Sequence, residues 1–201
     1  MAYAGGFRLN VLRRVKINTD EFMVGDRIYV GHYTATCQKV EADGYIFMLD
    51  QYIDETMHMN KHDTNEGGYE ASDLRKRLNS PEILDIFVFS GVSNMLIPFE
   101  NGDLFRLPFY GEMFGHDSWY KYNTVEPDEC EQWELMSDRR NRIAERKDEN
   151  YEWGWLQNKN VMSSTYFFGI TNQGTVNYWA ASYSIGVRLV FKIGKRWRRR
   201  K

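Results

Sequence analysis

Glu126-Pro127-Asp128 sets two carboxylates on either side of a proline, and calcium takes hard oxygen donors of this kind from loops. His58 and His62 stand four apart, with Asp54, Glu55 and Asp63 nearby; on a helix that spacing would turn two imidazoles toward one metal. Neither pattern is complete. A lone Glu-Pro-Asp in an acidic stretch reads as a turn, and the polar segment 54–69, ending in Gly67-Gly68, reads as a loop. No metal site and no other cofactor is therefore expected. The chain holds no G-x-S-x-G elbow, no phosphate-cradling glycine loop and no H-E-x-x-H pair. Cys37 and Cys130 are the only cysteines, too few for a disulfide scaffold. No catalytic residue is expected, and the chain reads as something other than an enzyme.

Binding chemistry is better represented. Thirteen Tyr and six Trp exceed what a core of this size needs. Trp119, Tyr120 and Tyr122 fall in a long loop region, while Asn172, Asn177, Tyr178, Trp179 and Tyr183 flank the late strands. Rigid aromatics offer contact area at low entropic cost, and asparagine amides adapt their hydrogen bonds, so these eight residues are the expected contact surface. Tyr178 and Trp179 could instead fill the core between the last strands. A second candidate is the basic tail of Lys195, Arg196, Arg198, Arg199, Arg200 and Lys201, with Trp197 among them. Such a block seeks an acidic surface or a phosphate backbone. The net charge of −2 means that the rest of the chain is acidic, which favours docking on a protein over nucleic acid.

The elements that must position these residues are short. Hydrophobic residues make up 42% of the 201, enough for one sizeable core. A first strand is expected over Phe7–Ile17, then a turn at Val24-Gly25-Asp26 and strands at Ile28–Val30, Tyr33–Val40 and, after an Asp43-Gly44 hairpin signal, Tyr45–Leu49. Ser72 is placed to cap a helix that docks through Leu74 and Leu78. Ser80-Pro81 opens a second helix with Ile83, Leu84 and Phe87 on one face. Asn101-Gly102-Asp103 makes a turn before a strand over Leu104–Leu107, and Pro108–Gly115 holds a helical turn or two. Glu131–Lys147 is expected as a helix, followed by strands at Trp153–Leu156, Thr165–Ile170, Val176–Trp179 and Val187–Ile193. No linker divides the chain, so one α+β domain is expected over residues 1–194, with 195–201 as its tail. There is no secretion leader and no membrane-spanning run, which implies folding in a cytoplasm.

The order of several motifs carries a resemblance. Tyr33-Thr34-Ala35-Thr36-Cys37 leads to Phe47-Met48-Leu49-Asp50 and to Gly67-Gly68-Tyr69-Glu70-Ala71-Ser72-Asp73-Leu74-Arg75. Then come Pro98-Phe99-Glu100-Asn101-Gly102-Asp103, Glu112-Met113-Phe114-Gly115, Trp155-Leu156 and Gly186-Val187-Arg188. From about Val24 to Gly194 this resembles an uncharacterised family of bacteriophages, prophages and gut Firmicutes. Its fold is similar to C-type lectin-like domains, which are related to formylglycine-generating enzymes.

The resemblance implies short antiparallel sheets, two helices, a long loop region, and first and last strands that pair. It implies structural roles for Ser72, Leu74, Arg75, Leu78, Gly186 and Arg188. Gly186 would allow a positive-φ turn, and the two arginines would bind loop carbonyls or acidic side chains. Departures matter as well. Family members carry Trp-Leu-Arg-Ser where this chain has Trp155-Leu156-Gln157-Asn158. Calcium-dependent lectins need a later Trp-Asn-Asp, but Trp179 is followed by Ala180-Ala181, and the paired late cysteines of the oxidases are missing.

The function so implied is a lectin-like binding or structural module of a bacteriophage virion, tail- or capsid-associated. It would engage a protein or glycan, on a host surface or another virion subunit, within an oligomer. The other reading is an intracellular accessory protein in the host cytoplasm whose tail contacts nucleic acid or a host factor.

Overall fold

Tyr33, Ala35 and Cys37 turn one way along their strand and Thr34, Thr36 and Gln38 the other, the period-2 alternation that lets a strand serve two environments. In the computed structural model, which describes residues 21–88, 90–122, 124–146 and 152–195, this strand is the second of a meander: β1 (Arg27–Val30), β2 (Tyr33–Val40) and β3 (Gly44–Leu49). The strand expected over Phe7–Ile17 and the tail residues Arg196, Trp197, Arg198, Arg199, Arg200 and Lys201 lie outside the described residues. Of the expected tail, Lys195 alone is described; its amide donates to Asp43 O and its ammonium lies over the Tyr45 ring.

The molecule is mixed α+β and mostly antiparallel. Two short strands, β4 (Met57–His58) and β5 (Leu96–Ile97), precede β6 (Phe105–Arg106); β7 (Gly154–Lys159), β8 (Tyr166–Ile170), β9 (Val176–Ala180), β10 (Ser184–Ile185) and β11 (Val190–Gly194) follow. The large sheet runs β1-β2-β3-β11, with β5 and β6 both on the far side of β11. Phe191 faces Phe47 on one side and Phe105 on the other, and Lys192 lies between Ile46 and Ile97. Both ladder edges of β11 are thus filled. The implied pairing of first and last strands involves Phe7–Ile17 and so lies outside the described residues; among the described strands, β2 and β3 separate β1 from β11.

Alternation along β3 and β11 sorts the interior into two cores. Phe47, Leu49, Phe191 and Ile193 join the larger one, where Phe87 meets Phe105 at 4.5 Å and Phe191 at 4.8 Å. Ile46, Met48 and Val190 join the smaller. The three-stranded sheet β7-β8-β9 belongs to both, giving Trp155, Phe167 and Trp179 to the first and Leu156, Phe168 and Ile170 to the second. Each ring taken from water contributes about 1.5–3 kcal/mol, so the rings dominate cohesion.

Helices are more numerous and shorter than the two expected. They are α1 (Gly68–Ala71), α2 (Asp73–Leu78), α3 (Pro81–Val88), α4 (Tyr110–Phe114), α5 (Ser118–Lys121) and α6 (Arg139–Arg142). The cap of α2 is the expected one: Ser72 Oγ accepts from Arg75 N at 3.1 Å, and Leu74 and Leu78 are buried. Arg75 forks onto Asp103 at 2.6 and 3.2 Å, clamping the Asn101–Asp103 turn to the helix. The helix expected over Glu131–Lys147 is broken into a 3-10 turn at Glu134–Ser137 and α6. Asp138 between them is extended, and its carboxylate caps the second piece through Arg140 N. Nor is segment 54–69 wholly loop, since Met57 and His58 pair with Ile185 and Ser184.

Gly186 requires a correction of cause. Its φ is not positive; a Cβ there would stand 2.7 Å from Tyr52 Cγ and 2.8 Å from Trp153 O, so contact demands the glycine. Arg188 is buried and donates to Leu49 O at 2.6 Å and to Asn141 O at 3.0 Å, the carbonyl-binding role expected. A buried ion pair, Arg106–Glu112 at 2.6 and 2.8 Å, lies between the Phe99 and Phe109 rings and joins β6 to α4. Among the described residues no helix is long and apolar enough to cross a membrane.

Candidate functional site

Tyr166 and Phe168 lie two apart on β8 and so share a face, and Tyr178 of β9 stands directly across from Phe168. The Tyr166 and Tyr178 rings are 5.2 Å apart, and Trp119 on α5 closes on Tyr178 and Phe168, both at 6.0 Å and 75°. Below them Phe168 meets Tyr110 edge-on at 5.4 Å, which roots the cluster in the smaller core. Phe168 is fully buried; Trp119, Tyr166 and Tyr178 each expose more than a third of their surface. The result is a rigid ring cluster, buried at its base and open at its top.

Local chemistry fixes α5 in place. Asp117 accepts from Trp119 N at 3.0 Å and Tyr120 N at 3.3 Å, capping the turn, and the same oxygen accepts from Tyr110 Oη at 2.8 Å. Burial pushes the Tyr110 hydroxyl well above its ordinary range, with the Asp117 bond adding to the rise, so it stays a donor. The Thr124 hydroxyl donates to Trp119 O at 2.8 Å, while its carbonyl accepts from Val161 N at 3.0 Å. That second bond ties the turn bearing Val161 and Met162 to the same segment; Met162 is 77% exposed, as is Tyr122 at 78%.

The eight residues expected as one surface divide accordingly. Trp119 and Tyr178 meet in the cluster, with Tyr120 half-buried beside it, stacked on His116 at 4.3 Å, while Tyr122 ends α5 largely in solvent. Trp179 points to the opposite face and is buried, stacked on Trp153 at 5.1 Å. Asn177 shares that parity on β9, and Tyr183 sits on the turn beyond it, where its amide donates to Ala180 O. Asn172 is at the tip of the β8–β9 hairpin, lining a polar cleft. Tyr166 joins the cluster without having been singled out. For Tyr166 the signal was available, since an alternating strand that buries Phe168 puts Tyr166 on its face.

The metal-like patterns are occupied by the architecture. Asp128 accepts from Gly111 N at 2.8 Å, Asn158 Nδ2 at 2.9 Å and Cys130 N at 3.0 Å. Glu126 lies 3.8 Å from Lys159 Nζ. Among the described residues no three His, Cys, Asp or Glu side chains are grouped to hold a metal ion, His58 and His62 included. Gln157 and Asn158 bond Leu107 O and Tyr110 N and so brace α4 against β7. Burial pushes the Cys37 thiol up to about 11 and Cys130 up to about 12, so neither is a thiolate near neutral pH.

No protein-family model, no curated protein and no solved structure matches this chain.

Proposed function

We propose that this chain is a non-enzymatic binding module, built on a C-type lectin-like α+β fold, that docks on another protein through the Trp119–Tyr166–Tyr178 cluster. One observation carries the reading: exposed aromatics are gathered around a buried root, and the turn bearing the exposed Val161 and Met162 is tied to the same segment through Thr124. Contiguous apolar surface of this kind marks interaction sites, and aromatic and methionine side chains are enriched at the centres of protein interfaces. A glycan would call for a denser ring of polar donors than Val161 and Met162 supply, so a protein partner is favoured. The order of motifs from Val24 to Gly194 supports a bacteriophage particle as the setting, with the partner a virion subunit or a host surface protein.

Two experiments test this. Mass spectrometry of purified particles should find the protein, and its absence from virions removes the particle setting. Crosslinking through a photoreactive group at position 162 should capture one partner protein, and Tyr178→Ala should abolish the capture. Retention on an immobilised glycan array with no protein capture would replace the protein partner by a sugar.

A further inference from the structure

A polar cleft runs between β2 and the segment 135–145, formed by adjoining cavities of about 380 and 520 Å³ that share Arg27, Asp50, Arg140 and Ile143. We propose that this cleft binds a small organic carboxylate that carries a hydroxyl or ammonium donor close to its carboxylate group. The site is separate from the aromatic cluster and does not depend on that reading.

The floor is a buried positive charge with no carboxylate in ion-pair contact; Asp50, on the wall of the same cavity, acts on it only from a distance. Arg188 lines the inner cavity and is only 4% exposed, yet among the described residues it has no carboxylate partner. Its Nε and Nη1 donate to the carbonyls of Leu49, Asn141 and Arg142, which leaves Nη2 outside these bonds. Burial of a guanidinium among carbonyl dipoles alone is costly, and an anion brought to Nη2 relieves that cost. The neighbouring cations are already balanced. Arg140 lies 2.7 Å from Asp138, and Arg27 is 3.6 Å from Asp50. The cost of burying Arg188 is therefore only partly offset within the chain, and an anion at Nη2 would offset more of it.

The second observation is an unpartnered acceptor. Gln38 is the extra residue of a β-bulge between Cys37 and Lys39, a device that re-aims a side chain. It is 3% exposed and lines the inner cavity, and its Oε1 has no hydrogen-bond partner. The amide orientation is set by the other end, because Nε2 donates to Thr36 O at 3.1 Å. An orphaned oxygen and a guanidinium on the wall of one cavity ask for a donor and an anion in one ligand. Asp50 adds a fixed acceptor, held by the Thr36 and Thr34 hydroxyls at 2.6 and 2.7 Å. Glu145 and Asn172, in the outer cavity, face the donor end of such a ligand. Phosphate fits poorly, because its second negative charge would stand among the Asp50 and Glu145 carboxylates of the cleft.

Thermal unfolding of the whole chain with about 10 mM glucuronate, serine, glucose or inorganic phosphate tests the proposal. Glucuronate or serine should raise the Tm, while neutral glucose and phosphate leave it unchanged. By titration calorimetry, Gln38→Met should bind the active carboxylate roughly tenfold more weakly, and Tyr178→Ala should bind it as wild type does. The proposal is overturned if neither carboxylate raises the Tm of the wild-type chain, or if phosphate raises it as much. Unchanged affinity in Gln38→Met overturns it too. The wild-type titrations decide the matter even if the variant unfolds.

Discussion

The aromatic cluster and the polar cleft sit toward opposite ends of one hairpin, the first near the open end of β8–β9 and the second at its closed tip. They are built on different principles. In the cluster, side chains from α5, β8 and β9 meet through ring contacts, and the exposed rings can be exchanged without leaving a buried polar group unpaired. In the cleft, Thr34, Thr36, Asp50 and Arg188 are locked by hydrogen bonds, so removing one of them orphans a partner.

The largest expected effect would strike both regions together. Burial pushes up the phenols of Tyr52, Tyr69 and Tyr110, and raises Tyr33 to about 12, as it raises the two thiols. The unfolded chain sheds these protons at ordinary values, 9.0 for thiols and 10.0 for phenols, while the folded chain holds them. Stability is therefore complete below about pH 9 and falls as pH climbs toward about 12. Circular dichroism should show one cooperative alkaline transition; separate midpoints for Trp fluorescence and backbone signal would divide the two regions.

Next in size, Arg188→Ala should cost about 3 kcal/mol in urea unfolding, because it leaves the Leu49, Asn141 and Arg142 carbonyls without a donor. Trp119→Ala should cost less than that in stability but about 2 kcal/mol in partner binding, roughly a 30-fold loss. Equal stability losses at the two positions would erase the contrast. Thr36→Val, which removes one hydroxyl from Asp50, should cost about 1 kcal/mol and leave partner capture intact. The smallest effect is that of Met162→Ala on stability, expected within about 0.5 kcal/mol because the side chain is largely in solvent.

The same contrast explains what could be read from the residues alone. β2 spans Tyr33–Val40 as expected, since Tyr, Thr and Val in alternation leave little choice, and Ser72 announced the start of α2 through its own chemistry. Trp119 and Tyr178 stood out by residue type, and their rings lie 6.0 Å apart. The cleft was invisible because no local pattern marks a bulge at Gln38, and its lining comes from segments more than a hundred residues apart. The broken helix at Asp138 failed for a related reason: burial of Trp133 and Met136 sets the path there more than helical propensity does. Gly186 was noticed for its type but assigned to backbone freedom, whereas Tyr52 packing against it could not be foreseen.

The position of β11 has a bearing on how the molecule comes into being. A ribosome delivers Val190–Gly194 long after β2 and β3 have emerged, yet these five residues are the keystone between β3 and the β5–β6 pair. The nascent chain must wait, with the edges of β3, β5 and β6 unsealed and able to capture neighbours, until that stretch arrives. Closure is then a late, long-range event, slow by topology and dependent on shelter for the waiting edges.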